Sequence, residues 1–323
     1  MPPSMLTIAH LSDVHLAPIT GLGVRHLNIK RALGFANWLR KRHKIHLRAT
    51  VDALVADLAR QKVDHIIVSG DLTNLGLPGE HEAALTWLKA LGAPDRVSVV
   101  PGNHDIYCRL WRDPGVERWR AYMTSDAAGA SRVENAVGGF PYVRMVGGLA
   151  IVGVNSAVPT RPFMANGEVG ERQLAALGRT LAKLGAEGLR RLVVVHHPPL
   201  PGQADARRGL VDAARLETTL IAHGADLVLH GHNHLDMHAV RNGPGGRRID
   251  VVGIASASTS RTNHDEPLGR YNLITLDPAI PGGPIGIVSR GVTSPGGPVG
   301  EVRRRMLCEA TGAPAASATG SRG

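Results

Sequence analysis

Residues 5–15 read MLTIAHLSDVH, an apolar run that stops at the polar pair Ser12-Asp13, and this pattern recurs along the chain. The run predicts a short buried strand that is followed directly by polar side chains. The same pattern returns at 64–71, which read DHIIVSGD, and at 96–105, which read RVSVVPGNHD. Continuous apolar runs of this kind are typical of parallel strands that are covered on both faces.

Helices separate these runs, and the C-terminal half is richer in strands. A segment at about 24–60 has helical character and 79–91 reads as a helix, so the order begins β, α, β, α, β. Gly147-Gly148 lies between two apolar runs and predicts a β-hairpin. Further helices are predicted after Gly170 and at 210–223. Further strands are predicted at 191–195, 226–229, 237–241, 248–254, 271–276 and 285–289. The residues themselves therefore predict an α/β fold with a β-rich C-terminal half.

The chain has 323 residues, of which 43% are hydrophobic and 3% aromatic, so its core must be built mainly from aliphatic side chains. This length allows one large core or two smaller ones, and one α/β domain with insertions is the interpretation favoured here. The domain is expected to span 1–307, with a basic helical insertion at about 24–48. Residues 308–323 are rich in Ala, Gly, Ser and Thr without periodicity, which predicts a disordered tail.

The charge balance favours anionic partners. The 37 Lys and Arg residues against 27 Asp and Glu give a formal net charge of +10. Such a surplus suits phosphorylated metabolites, nucleic acid or lipid headgroups, and it is equally expected from a compositional habit of the source. Cys108 and Cys308 match no zinc spacing and no disulfide framework, which predicts a reducing, cytoplasmic location. No signal peptide and no membrane-spanning run is predicted.

Side chains that bind metals follow the predicted strands. Asp13 and His15 come after the first strand and lie two residues apart, so both can point to one side of an extended segment. The other candidates in equivalent positions are Asp71, Asn103, His104, His196, His232 and His234. Because ligands in open α/β sheets gather outside the carboxyl ends of the strands, we expect these side chains to share one site.

The donor types indicate which metals suit the site. Mixed imidazole, carboxylate and amide donors suit Mn, Fe or Zn, whereas Mg or Ca would not need four histidines and a thiolate site would need Cys. A carboxylate such as Asp71 can bridge two divalent or trivalent ions. Two ions about 3.5–4 Å apart clamp the attacking and leaving oxygens of an in-line phosphoryl displacement and make hydroxide available near neutral pH.

Taken in order, these motifs resemble those of the calcineurin-like metallophosphoesterase family. The resemblance covers roughly residues 5–290. It rests on Asp13-Val14-His15, Gly70-Asp71, Gly102-Asn103-His104-Asp105, His196-His197-Pro198 and Gly231-His232-Asn233-His234. Each motif alone is weak, but the ordered set is specific because every motif follows a predicted strand. The resemblance implies a four-layer αββα sandwich of two mixed β-sheets flanked by helices.

The resemblance also implies a role for each residue. One ion would be held by Asp13, His15, Asp71 and His234, and the other by Asp71, Asn103, His196 and His232. His104 would not bind metal but would stabilise the transition state or protonate the leaving oxygen. Asp105 would orient His104. The residues alone do not separate His196 from His197, and the family pattern favours His196.

The reaction implied is hydrolysis of a phosphodiester by metal-bound hydroxide. Within the family, the motifs with a late polar segment at 257–261 are most similar to the bacterial cyclic-nucleotide phosphodiesterase-like branch, so a 3′,5′-cyclic nucleotide is one candidate substrate. The alternatives are a pyrophosphatase of a nucleotide-linked lipid, a nuclease, and a non-catalytic interaction protein on the same fold. The nuclease is less favoured because no aromatic stacking platform is evident. The interaction protein is less favoured because such a protein would be expected to have lost ligands.

The basic stretch at 40–48, which follows Phe35 and Trp38, is longer than the corresponding loop of a minimal family member. It is predicted to form a lid or rim for a polyanionic or lipid-linked substrate, to touch an acidic membrane surface, or to be a solvated helix face. His10 and His230 are expected to pack near the site. The histidines outside the motifs, including His46, are assigned to surface or structural positions by default. Arg207, Arg208, Arg261 and Asn263 are candidate phosphate contacts, and plain surface positions are the favoured alternative for them.

Overall fold

The computed structural model describes residues 5–110, 112–262 and 265–307. Within these ranges, twelve strands form two six-stranded sheets. The strands are β1 (Leu6–Leu11), β2 (His65–Val68), β3 (Val97–Val99), β4 (Tyr142–Val146), β5 (Leu149–Gly153), β6 (Arg190–Val194), β7 (Leu227–His230), β8 (Met237–Asn242), β9 (Arg248–Gly253), β10 (Arg270–Leu276), β11 (Ile285–Val292) and β12 (Val299–Leu307). The α-helices are α1 (Ile29–Arg40), α2 (Arg48–Leu58), α3 (Pro78–Leu91), α4 (Ala127–Ala130), α5 (Glu171–Ala186) and α6 (Ala213–His223). Short 3-10 segments lie at Val24–His26, Arg42–Lys44, Gly115–Tyr122 and Pro244–Gly246.

Both sheets are mixed. The first has the order β12-β11-β10-β1-β2-β3, in which β1, β2 and β3 are parallel and β10 is antiparallel to β1. The second has the order β4-β5-β6-β7-β9-β8, in which the four central strands are parallel and the two edge strands are antiparallel. The expected architecture of two mixed sheets with flanking helices is confirmed.

Side chains along the strands of the second sheet alternate between two hydrophobic cores, one on each face of the sheet. Leu192 and Leu229 belong to a cluster that includes Ile8 and Ile67 of the first sheet. Their neighbours along the strands belong to a second cluster with residues of α5 and α6, namely Val193, Val228, Leu177, Leu181, Leu216 and Leu220. Because successive side chains of a strand point to opposite faces, the second sheet lies between the first sheet and these two helices. Helix α2 packs against β11 and β12 of the first sheet.

The helical segment expected at about 24–60 is broken between α1 and α2. Residues 45–47 pair with residues 258–260: the backbone N–H of Leu47 donates to Ser258 O at 3.0 Å, and that of Ser260 donates to Ile45 O at 2.8 Å. These long-range bonds satisfy backbone groups that a continuous helix would otherwise use, so the chain leaves the helix here. Strand β12 was not predicted, and the helix expected at 210–223 begins at Ala213.

The predicted hairpin is present. Gly147 and Gly148 connect β4 to β5 with φ values of 53° and 95°, which suits a two-residue turn that needs positive φ at both positions. The tail expected at 308–323 lies outside the described residues. No helix of the described ranges combines the length and the apolarity that a membrane crossing needs.

Candidate metal centre

The candidate ligands follow the carboxyl ends of parallel strands in both sheets. They are Asp13 and His15 after β1, Asp71 after β2, Asn103 and His104 after β3, His196 after β6, and His232 and His234 after β7. Strands β1, β2 and β3 are neighbours in the first sheet, and β6 and β7 are neighbours in the second. Each sheet therefore contributes part of a single site.

The backbone at this site is unusual. Seven described residues other than glycine have positive φ, and five of them are candidate ligands: Asp13 (53°), His15 (41°), Asp71 (56°), His232 (70°) and His234 (57°). Such conformations cost of the order of 1–3 kcal/mol each and concentrate at functional sites. Backbone bonds hold the first two loops together, since Asp13 N donates to Gly70 O at 3.0 Å and His15 N to Asp71 O at 2.9 Å. The loops are thus bent in a way that brings their side chains together.

Two motif glycines allow the loops to approach. A Cβ atom on Gly102 would collide with Oδ1 of Asp71. A Cβ atom on Gly231 would collide with Oγ of Ser12 and lie 2.5 Å from Oδ2 of Asp13. Any larger residue at either position would displace a candidate ligand, which explains why the motifs contain glycine there.

The first donor cluster consists of Asp13, His15 and His234. Nε2 of His234 lies 3.2 Å from Oδ1 of Asp13 and 3.4 Å from Nε2 of His15. Nε2 of His15 lies 3.9 Å from Oδ1 of Asp13. Two donors that bind one ion at about 2.1 Å with tetrahedral angles are about 3.4 Å apart, so these separations fit a shared ion. Among the described residues, Oδ1 of Asp13 is buried without a hydrogen-bond partner, as expected of an oxygen that binds a cation.

The second donor cluster consists of Asp71, His196 and His232, and Asn103 lies inside it. Nε2 of His196 lies 3.4 Å from Oδ2 of Asp71 and 3.2 Å from Oδ1 of Asn103. Nδ1 of His232 lies 2.8 Å from Oδ1 of Asn103 and 3.3 Å from Nε2 of His196. The four donors therefore have the mutual spacing that a second ion requires.

Asp71 connects the two clusters. Its Oδ2 atom lies 3.4 Å from Nε2 of His196 in the second cluster and 4.0 Å from Nε2 of His15 in the first. A backbone carbonyl fixes the orientation of each of these two rings through the nitrogen that faces away from Asp71. Nδ1 of His15 donates to Thr73 O at 3.1 Å, and Nδ1 of His196 donates to Ser69 O at 2.7 Å. An Nδ1 that donates to a carbonyl leaves Nε2 unprotonated in the neutral ring, as metal binding requires.

Protons and cations compete for this site. Burial acts to lower the pKa of His234, but Asp13 outweighs it and raises that pKa to about 9. Burial is likewise outweighed at His196, where Asp71 raises the pKa to about 9. At His15 burial dominates and the pKa lies well below its usual value. Because a metal binds only the neutral ring, acid should displace cations from His196 and His234.

His104 lies beside the clusters, and bonds to both of its ring nitrogens set its orientation. Its Nδ1 bonds to Asn74 O at 2.5 Å, and Nε2 accepts from Arg42 at 3.2 Å. Asp105, which is predicted to orient this ring, bonds to the backbone of the neighbouring loops. Its carboxylate accepts from the backbone N–H groups of Asp71, Gly102 and Thr73 at 2.9 Å each. Asp105 thus holds together the loops after β2 and β3, and the carbonyl of Asn74 positions His104. These bonds support a role for Asp105 in loop geometry, and its expected role toward His104 stays a prediction.

His104 also belongs to a third group of close donors, with His15 and Asp71. Burial lowers the pKa of His104 to about 4, although Asp71 opposes the change. The imidazole is therefore neutral near pH 7. With Nδ1 donating to Asn74, Nε2 is the nitrogen that can act on a ligand.

Two side chains at the site were not predicted individually. Arg42 donates to Nε2 of His15 at 3.0 Å and to Nε2 of His104. His46 is buried, and its ring centroid lies 4.9 Å from that of His15 and 5.4 Å from that of His234. The sequence feature that points to both residues is the basic stretch at 40–48.

The remaining histidines near the site bond elsewhere. His197 bonds to Oγ of Ser156 at 2.7 Å and to Ala165 O at 3.1 Å. His10 bonds to Oγ of Ser69 at 2.8 Å, and Nδ1 of His230 lies 3.2 Å from Gly231 O. None of these three histidines belongs to a donor cluster of the described residues.

A cavity of about 320 Å³ opens above the clusters. Besides candidate ligands, it is lined by Asn37, Lys41, Arg42, His46, Arg208 and Glu266. Arg208 also donates to His232 O at 3.2 Å. Arg207 and Arg261, which were considered as phosphate contacts, are exposed and do not line this cavity, and Asn263 lies outside the described residues.

Comparison with known proteins bears on this arrangement. The chain is 29% identical over 187 residues to a Synechococcus protein described as a "probable cyclic nucleotide phosphodiesterase", which covers 56% of this chain and 62% of that protein. It is also 29% identical over 106 residues to a glycerophosphodiester phosphodiesterase of Enterobacter lignolyticus. That alignment covers 31% of this chain and 30% of that protein. The matched regions thus span less than two thirds of either relative.

A solved structure shares the fold. A dimetal phosphatase from Danio rerio superposes with a TM-score of 0.60 at 16% identity, covering 94% of this chain and 98% of that one. The family model of the calcineurin-like phosphoesterases matches residues 6–236, well over half of the sequence. That range includes every candidate ligand. The chain belongs to the calcineurin-like phosphoesterase family.

Proposed function

We propose that this protein is a dinuclear metal-dependent phosphoesterase that hydrolyses a phosphodiester. One observation carries the proposal: two clusters of buried donors lie side by side, and Asp71 reaches both. Family membership supports hydrolysis of a phosphoester, and two relatives described as phosphodiesterases favour a diester. The proposed catalytic unit spans 1–307 with the basic segment, residues 24–48, as an insertion.

The proposed ligand sets follow the distances. Asp13, His15, Asp71 and His234 would hold one ion, and Asp71, Asn103, His196 and His232 would hold the other. The mixture of imidazole, carboxylate and amide oxygen suits Mn, Fe or Zn. When bound, such ions neutralise phosphate charge and make a nucleophilic water available near neutral pH.

The chain's own groups would complete the site. His104 directs Nε2 at the pocket while Asn74 holds Nδ1, so Nε2 is the atom that would stabilise the phosphoryl oxygens or pass a proton to the leaving oxygen. Burial and, to a smaller extent, Arg42 lower the pKa of His104 against the opposing effect of Asp71, whereas a bound phosphate anion would raise it. A cavity of about 320 Å³ lies at the small end of the range of ligand sites, about 300–1,000 Å³, which suits a compact ester such as a 3′,5′-cyclic nucleotide.

The test is metal-dependent hydrolysis of bis(p-nitrophenyl) phosphate. Protein stripped of metal would be reconstituted with Mn²⁺, and p-nitrophenyl phosphate would serve as the monoester comparison. We expect turnover of the diester that depends on Mn²⁺ and disappears in Asp71→Ala. The matched control is Asp52→Ala, a half-exposed carboxylate on α2, which should keep full activity. Equal turnover in Asp71→Ala and in the wild type would refute the proposal.

A second candidate, a pyrophosphatase of a nucleotide-linked lipid, is favoured by exposed apolar side chains near the start of α1 and on the loop before Ala165, a residue that lines the cavity. Val24, Ile29 and Phe163 are 88%, 74% and 80% exposed. Lys30 of α1 bonds to Thr160, which brings the loop that carries Phe163 next to α1. Such a surface could receive an acyl chain. If it does, a double substitution Ile29→Ser with Phe163→Ser should reduce turnover of a detergent-dispersed lipid pyrophosphate and leave that of bis(p-nitrophenyl) phosphate unchanged.

A further inference from the structure

The basic segment is fastened to the catalytic loops by its own buried cations. Nζ of Lys30 donates to Tyr107 O at 2.9 Å and to Oγ1 of Thr160 at 2.6 Å. Arg31 donates through Nε to Leu75 O at 3.1 Å and through its NH2 nitrogen to Gly76 O at 2.7 Å. Both side chains are buried. Part of the positive charge in this segment therefore serves to dock α1 on the loops that follow β2 and β3.

The other end of the segment is fastened as well. Beyond the backbone bonds between 45–47 and 258–260, Nδ1 of His46 bonds to Oγ of Ser258 at 2.9 Å, and Oγ of Ser260 donates to Ile45 O at 2.8 Å. Arg42 lies between these two attachments. Its position in the pocket is therefore defined by contacts on both sides and does not depend on a free loop.

Arg42 is oriented toward the donor clusters. Its two terminal nitrogens donate to the imidazole nitrogens of His15 and His104, and its Nε is buried without a hydrogen-bond partner among the described residues. A guanidinium has five N–H donors, and these bonds use only two of them. The others can donate to an acceptor that enters the pocket. Moreover, Nε2 of His15 cannot accept from Arg42 and bind an ion at the same time. Ion binding would therefore release one guanidinium N–H toward the cavity.

We propose that Arg42 binds the non-bridging phosphate oxygens of the substrate, delivered to the site by the docked basic segment. The inference rests on the proposed phosphoesterase function. A guanidinium suits this task because its planar fork matches two oxygens of a phosphate group at once. The role would restrict substrates to esters whose phosphate carries at least two non-bridging oxygens with a negative charge, and it gives the basic segment a direct part in recognition.

The test compares Arg42→Ala and Arg42→Lys with Arg40→Ala, an exposed cation of the same segment that does not line the cavity. Inorganic phosphate is the probe, titrated into Mn²⁺-loaded protein by calorimetry, with metal content measured by mass spectrometry. We expect Arg42→Ala to keep its metal and to lose about ten- to a hundred-fold in phosphate affinity, as for one or two lost charge-assisted hydrogen bonds. KM for bis(p-nitrophenyl) phosphate should rise in parallel. Arg42→Lys should lie between, and Arg40→Ala should match the wild type.

The outcomes separate this inference from the function on which it rests. Phosphate affinity that depends on Arg42, in a protein without turnover, would refute the proposed hydrolysis and support the inference. Equal phosphate affinity in the wild type and Arg42→Ala, or no binding to either, would overturn the inference whatever the turnover. Loss of metal in Arg42→Ala would also overturn it, because Arg42 would then act on the metal ligands.

Discussion

Asp57 of α2 is a buried carboxylate that joins α2 to the strands of the first sheet, and its replacement by asparagine should weaken the fold. The side chain is 2% exposed. Its Oδ2 accepts from the hydroxyl of Tyr271 at 2.6 Å and from Nε of Arg290 at 2.7 Å, and its Oδ1 accepts from Arg290 at 3.0 Å and from Arg60 at 2.9 Å. Asparagine keeps the shape but removes the charge that these donors require.

The pKa of Asp57 gives the size of the expected loss in stability. The hydrogen bonds from Arg290 contribute most to lowering the pKa of Asp57 from 3.8 to about 2, against the opposing effect of burial. One pKa unit corresponds to about 1.4 kcal/mol, so the charged form of Asp57 stabilises the fold by roughly 2–3 kcal/mol relative to the neutral form. Because the folded-state pKa is depressed, this contribution is complete above the unfolded value of 3.8 and is lost as the pH falls through about 2.

The assay is urea denaturation followed by tryptophan fluorescence, for the wild type and Asp57→Asn. We expect the free energy of unfolding of Asp57→Asn to lie roughly 2–3 kcal/mol below that of the wild type at pH 7. The same difference is expected at pH 5.5, and about half of it at pH 3. The matched control is Asp52→Asn on the same helix, whose partner Arg48 lies at 2.7 Å with both side chains about half exposed. That pair should contribute less than about 0.5 kcal/mol. A loss in Asp57→Asn no larger than in the control, or one that grows toward low pH, would refute the reasoning.

Three further predictions concern the metal centre. His104→Ala should keep both ions by mass spectrometry while kcat falls by about 10²–10⁴-fold, and loss of metal would show that His104 is a ligand. Gly231→Ala should lower metal content and Tm because its Cβ atom collides with Oγ of Ser12, whereas Gly23→Ala, with nothing within 4 Å, should change neither; a normal metal content in Gly231→Ala would contradict the close approach. Asp105→Asn should lower Tm and metal content together, since an amide cannot accept from all the backbone N–H groups that its carboxylate serves; an unchanged Tm would show that these bonds are replaceable.

Much of the fold and the candidate ligands could be predicted because both depend on short, local patterns. An apolar run followed by Ser12-Asp13 or Gly70-Asp71 specifies a strand end and the polar residues beyond it. The sheet order could not be predicted in this way. β1 pairs with β10, as Leu6 does with Leu276, and no local pattern encodes a partner so distant in sequence.

The residues around the ligands were harder to predict for a related reason. A run of cations such as 40–48 is typical of a solvated surface, so Arg42 and His46 could not be distinguished from their exposed neighbours. The placement of this stretch depends on the pairing of residues 45–47 with 258–260, more than two hundred positions later. Asp105 shows the same limit: its neighbour in sequence is His104, but its oxygens accept from the backbone of Asp71, Gly102 and Thr73.

The positive φ values at the candidate ligands have a consequence for how this protein could be altered. At Asp71, with φ of 56°, glycine would adopt the observed backbone more easily than aspartate does. Glycine would also remove the hydrogen bond that Oδ1 of Asp71 accepts from the backbone N–H of His104 at 2.7 Å and the contact with His196 at 3.4 Å. The side chain that is proposed as a shared ligand therefore also holds its own strained loop to the loops after β3 and β6.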